Sequence, residues 1–110
     1  MRTVIIVNQA QMGVGDVELG RRILAACLRK LASFSGLEAI VLYNTGVTLA
    51  TKGSFVAAEL SELHQKGIDV LACGTCVEHF GIRDQMLFDP VSNMDEILAC
   101  LRDAEKVVTL

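Results

Sequence analysis

The sequence predicts an α/β domain in three layers, with helices on both sides of a mainly parallel sheet. Three observations carry this. The strand candidates are apolar runs without polar alternation, as expected of strands buried on both faces. Segments of helical period, long enough to act as crossovers, separate them. Glycines punctuate the junctions at Gly36, Gly67 and Gly81.

The elements follow in order. TVIIV, residues 3–7, is the first strand, and NQAQMGVGD is the loop after it. VELGRRILAACLRKLASF has helical spacing through Leu19, Ile23, Cys27 and Leu31. Gly20 weakens that helix by roughly 1 kcal/mol relative to alanine and marks close packing. LEAIVLY, residues 37–43, is the second strand, and NTGVTLATKGS is a polar connection. A helix starting near Ser54 puts Val56, Leu60 and Leu63 on one stripe, and Gly67 terminates it. IDVLAC, residues 68–73, is the third strand, followed by a short helical turn from Cys76 to Phe80. QMLF at 85–88 is read as a fourth strand, stopped by Pro90. SNMDEILACLRDA is the last helix, with Ser92 and Asp95 as its cap, and KVVTL at 106–110 is the last strand. No repeat, linker or low-complexity tract interrupts the series, so residues 1–110 read as one domain.

Composition narrows the function. Hydrophobic residues make up 52% of the chain, and mean hydropathy is +0.45. Ten basic against 13 acidic residues leave a net charge of −3. Arg21-Arg22 and Arg29-Lys30 are isolated pairs, so no nucleic-acid partner is expected. The apolar start is too short for a signal sequence or membrane span, and the expectation is a soluble cytoplasmic protein. Four cysteines in that setting read as thiols rather than a disulfide framework.

The chemistry concentrates in LACGTCVEHFG, residues 71–81. Ligand groups of open parallel sheets gather at the carboxyl ends of strands, which is where Cys73 falls. Thr75 and Glu78 have capping-box spacing, placing Cys76 at the first helical position, where helix amides and dipole favour a thiolate. The C-x-x-C spacing also permits a disulfide. Three functional readings stand beside the plain one, in which the cysteines fill a turn as small hydrophobes. One is a nucleophilic sulfur carrier, the second a dithiol redox switch through Cys73 and Cys76, and the third a metal site. Zinc needs four ligands and Cys73, Cys76 and His79 supply three, so no metal is expected. His79 is either a positive neighbour that favours thiolate or a polar residue on an exposed turn. His64 reads as solvent-facing, and Cys27 and Cys100 as core residues of apolar helices.

Asn8, Asn44, Thr45, Ser92 and Asn93 are expected near the same sheet edge, where amides and hydroxyls would line a small polar pocket. On the alternative reading, Asn44 and Thr45 satisfy the backbone of their own turn. The loop QMGVGDVELG is neither a dinucleotide fingerprint nor a P-loop, and Asp16 and Glu18 suit a helix start rather than phosphate. No cofactor is expected.

The chain resembles the DsrE-like family, and within it the carboxyl-terminal domain of the YedF-type proteins linked to selenium metabolism. MGVGDVELGRRIL, VLYNTGVTLATKGS, LHQKGIDVLACGTCVEHFGIRD and VSNMDEILACLRDAEKVVTL carry the resemblance. It implies a three-layer α/β/α domain with a five-stranded, mainly parallel sheet. It also implies sulfur or selenium relay through a persulfide on Cys73, exchanged with a donor or acceptor protein, and a homo-oligomer. Cys76 would resolve the persulfide or form a protective disulfide. A binding or scaffold domain without turnover is the other reading, since no complete acid–base set surrounds the thiols.

Overall fold

The computed structural model describes residues 2–110. Strand β1 (Thr3–Val7) lies between β2 (Leu37–Leu42) and β4 (Lys106–Thr109), and β3 (Asp69–Ala72) flanks β2. Every pairing is parallel, in the order β3-β2-β1-β4. All five residues of β1 are buried, as the central strand of a doubly covered sheet must be.

Helices α1 (Val17–Leu31) and α2 (Ala57–Gln65) join β1 to β2 and β2 to β3. Strand β4 lies on the other side of β1, so the chain reverses direction in the sheet before reaching it. Right-handed crossovers therefore put α1 and α2 on one face and α4 (Met94–Asp103) on the other. Helix α3 (Gly74–Phe80) sits at the carboxyl end of β3.

Local chemistry explains most boundaries. Asp16 caps α1 by accepting the Leu19 amide at 2.8 Å, so the loop-and-cap role of this acidic pair holds. Gly67 and Gly81 end their helices at φ +91° and +65°, a region that costs other residues steric strain. Val56, Leu60 and Leu63 form the buried stripe read from the sequence.

Several expectations need correction. Among the described residues the sheet has four strands rather than five. The 85–88 segment spends its backbone bonds elsewhere: the Lys52 amide donates to the Gln85 carbonyl, and the Leu87 amide to that of Ala50. Met86 thus makes a single antiparallel bridge with Thr51, outside the sheet. The connection after β2 contains a 3-10 helix, Asn44–Ala50, that turn-like composition concealed. Helix α2 starts at Ala57 rather than near Ser54. In α1 the inward stripe is Gly20, Leu24, Leu28 and Leu31, while Leu19 and Ile23 are exposed. Gly20 sets that rotation, because its carbonyl takes the Met12 amide and a Cβ there would stand 3.0 Å from Gln11 and Met12 atoms. Asn93, not Ser92, caps α4 by accepting the Glu96 amide at 2.9 Å.

Candidate functional site

The carboxyl ends of β1, β2 and β3 form one edge of the sheet, and both cysteines of the C-x-x-C stretch lie on it. Cys73 extends the β3 ladder by one bond, its amide donating to the Leu42 carbonyl at 2.9 Å. On its other side it forms a parallel bridge with Ser92. The Ser92 amide donates to the Ala72 carbonyl at 2.8 Å, and the Gly74 amide to the Ser92 carbonyl at 2.9 Å. Gly74 is required there, since a Cβ would come within 2.8 Å of that carbonyl oxygen. Cys73 is consequently held on both flanks and only 3% exposed.

This tether also moves the start of α3. Cys73 itself is the N-cap, its carbonyl accepting the Val77 amide at 3.0 Å. The Thr75–Glu78 capping box does not form: Thr75 is exposed inside the first turn, and Glu78 pairs with Arg83 at 3.0 Å. An exposed pair of this kind contributes about 0–1 kcal/mol. Cys76 lies at the third helical position rather than the first.

Cys76 is half-buried and turned toward the end of β2, where its Sγ accepts the Asn44 amide at 3.1 Å. Asn44 takes a left-handed conformation, φ 54°, to start the 3-10 helix and aim that amide. Burial pushes the Cys76 thiol up, the Asn44 amide pulls it back, and the adjoining Cys73 thiol raises it further by hydrogen bond and charge. Both thiols are free and lie close together.

The other predicted residues separate into neighbours and bystanders. Thr45 Oγ1 accepts the Ala10 amide at 3.1 Å, tying the loop after β1 to the 3-10 helix. Asn8 is half-buried just past the end of β1. Asn93 is occupied as a helix cap. His79 is exposed, its ring meeting Phe80 edge-on, and it makes no hydrogen bond to either sulfur among the described residues. His64 is exposed as expected and stacks on Phe88. Cys27 and Cys100 are both half-buried, Cys100 packing against the core and Cys27 outside it, and burial raises both thiols. Among the described residues no group of three or more His, Cys, Asp and Glu side chains is arranged to hold a metal.

The model of the DsrE/DsrF-like family matches residues 1–110. The chain belongs to that family. Solved structures place this DsrE/DsrF-like chain among similar folds. The ychN protein of E. coli is 23% identical, with a TM-score of 0.71 over 99% of this chain and 98% of its own. A protein of unknown function from Methanobacterium thermoautotrophicum is 21% identical, with the same score and coverage. One from Bacteroides thetaiotaomicron is 22% identical, with a TM-score of 0.65 over 98% and 94% of the two chains. No curated protein matches the chain.

Sequence reasoning missed the Asn44 amide as a partner of Cys76, because a backbone donor 32 residues away carries no residue-type signal. It also missed a cavity of about 330 Å³ lined by Arg21, Thr48 and Ser54. In the sequence Arg21 stands only as half of the Arg21-Arg22 pair.

Proposed function

We propose that this chain is a sulfur-relay protein that stores sulfane sulfur as a persulfide on Cys73 and exchanges it through Cys76. The observation that carries the reading is the thiol pair itself: a buried Cys73 close to a more accessible Cys76 whose Sγ holds an amide hydrogen bond. Membership in a family whose members relay sulfur supports it.

The steps balance as thiol exchange. Cys76 thiolate attacks the outer sulfur of a donor persulfide, forming Cys76 persulfide and releasing the donor thiolate. Cys73 thiolate then takes that outer sulfur and regenerates Cys76 thiolate. The reverse sequence delivers the sulfur to an acceptor thiolate. The Asn44 amide steadies the negative sulfur each time Cys76 becomes a leaving group. Burial of Cys73 shields the stored persulfide from solvent reductants. A reduced pair needs a reducing compartment such as the cytoplasm, and among the described residues no helix is long and apolar enough to cross a membrane.

The test is the intact mass of reduced protein after exposure to a low-molecular-weight persulfide. The wild type is expected to gain one sulfur, and Cys76→Ser to gain it about tenfold more slowly, the loss of one relay step being about 1.4 kcal/mol in barrier. Because the Cys76 thiol is raised, the wild-type rate should still be climbing with pH beyond the ordinary thiol value of about 8.5. A wild type that gains no sulfur contradicts the proposal.

Self-association belongs to the same proposal. Edge strand β4 exposes Val107 at 43%, and α4 exposes Leu98 at 57%. Apolar surface of this kind is commonly closed in symmetric oligomers. Light scattering over a concentration series is expected to give more than the protomer mass. A single protomer mass at high micromolar concentration contradicts it.

A further inference from the structure

The cavity beside the 3-10 helix has chemistry that sulfur exchange alone does not use. It measures about 330 Å³ and is lined by Arg21, Thr48, Thr51, Gly53, Ser54 and Phe55, among others. The Arg21 guanidinium lies over the Phe55 ring, 5.1 Å from its centroid, which fixes a flexible cation at the rim. No carboxylate pairs with Arg21 among the described residues. The Ser54 hydroxyl accepts the Val56 amide at 3.1 Å, so its proton is available to a ligand. The Gly53 amide makes no hydrogen bond among the described residues. These three lining groups are donors of the kind that suits a carboxylate.

The neighbouring hydroxyls have the opposite character. Thr48 donates to the Thr45 carbonyl at 2.6 Å and Thr51 to the Thr48 carbonyl at 2.8 Å. Their protons are spent, and the oxygens that remain accept. Free donors and free acceptors in one lining match the carboxylate and ammonium of a free α-amino-acid group.

Position supplies the link to the sulfurs. One end of the 3-10 helix is Asn44, whose amide touches Cys76, and the cavity begins at Thr48. At a rise of about 2 Å per residue these are about 8 Å apart. A thiol two or three residues long spans such a gap, extended chain covering about 3.3–3.6 Å per residue.

We infer that this cavity binds the α-amino-acid end of a low-molecular-weight thiol peptide and presents its sulfur to Cys76. The inference rests on the sulfur-relay reading for what the thiol then does: its thiolate takes the outer sulfur of Cys76 persulfide and leaves Cys76 as thiolate. Binding itself is independent of that step.

The probe is therefore the sulfur-free analogue of glutathione, γ-glutamyl-2-aminobutyryl-glycine, titrated calorimetrically into the intact protein. The expected result is saturable binding to the wild type, weakened about tenfold or more in Arg21→Ala and in Ser54→Ala to a lesser degree. Arg22→Ala, an exposed neighbour outside the cavity lining, should bind as the wild type does. Absence of binding to the wild type, or equal binding by Arg21→Ala, overturns the inference. Either result leaves the loading of Cys73 untouched, so the two proposals fail separately.

Discussion

Gly46→Ala is expected to lower the melting temperature by roughly 10–20 °C. The 3-10 helix that carries Asn44 lies directly on the end of β1. An alanine Cβ at position 46 would stand 2.2 Å from the Val7 carbonyl oxygen and 3.0 Å from its carbon. Both obstacles are backbone, in a strand buried on both faces, so neither gives way as a flexible side chain would. Relief requires lifting the helix by about 1 Å, and overpacking of this kind costs about 1–3 kcal/mol, occasionally more. In a domain of this size each kilocalorie shifts the melting point by roughly 4–8 °C. Gly53→Ala is the control, because a Cβ there meets nothing within 4 Å. It should melt within a few degrees of the wild type. Equal melting points for the two variants would refute the packing described for this helix. Surviving Gly46→Ala protein should also exchange sulfur more slowly, since the Asn44 amide moves with the helix.

The same helix shows where sequence reading stops. Strand β1 was legible because a doubly buried strand is almost wholly apolar, and TVIIV states this in five residues. Strands β2 and β3 were legible from shorter apolar runs, although Glu38 and Asp69 on them are exposed. Asn44-Thr45-Gly46 has the composition of a turn. Its helical form is set by contact with Val7, a long-range fact that local propensity does not contain. The 85–88 segment failed for the same reason. Its apolar residues are real, but its amides and carbonyls pair with the turn at Ala50–Lys52. At the site, topology placed Cys73 correctly at a strand end. The Thr75 cap was misplaced because Gly74 lets the chain approach Ser92 and begin α3 early.

Loss of Cys73 is expected to abolish retained sulfane sulfur while leaving the domain folded. Cys73 is 3% exposed, so a persulfide there lies out of reach of most solvent thiols, whereas one on the half-buried Cys76 does not. Cys73→Ser buries a hydroxyl without an assigned partner and costs about 1–3 kcal/mol. Cys73→Ala avoids that penalty and keeps the β3–Ser92 bridge, which uses only backbone atoms. Comparing the two separates chemistry from folding. Both should lose retention, and only the serine variant should melt measurably earlier.

Peptide-resolved mass spectrometry locates the sulfur directly. Wild-type protein is loaded from a persulfide donor, freed of donor, alkylated and digested, and the peptide carrying both cysteines is fragmented so that ions breaking at Gly74-Thr75 assign the sulfur to one of them. One added sulfur is expected on Cys73, with a smaller transient fraction on Cys76 and none retained by Cys73→Ala. Sulfur held on Cys76 alone, or retained equally by Cys73→Ala, would contradict storage on Cys73.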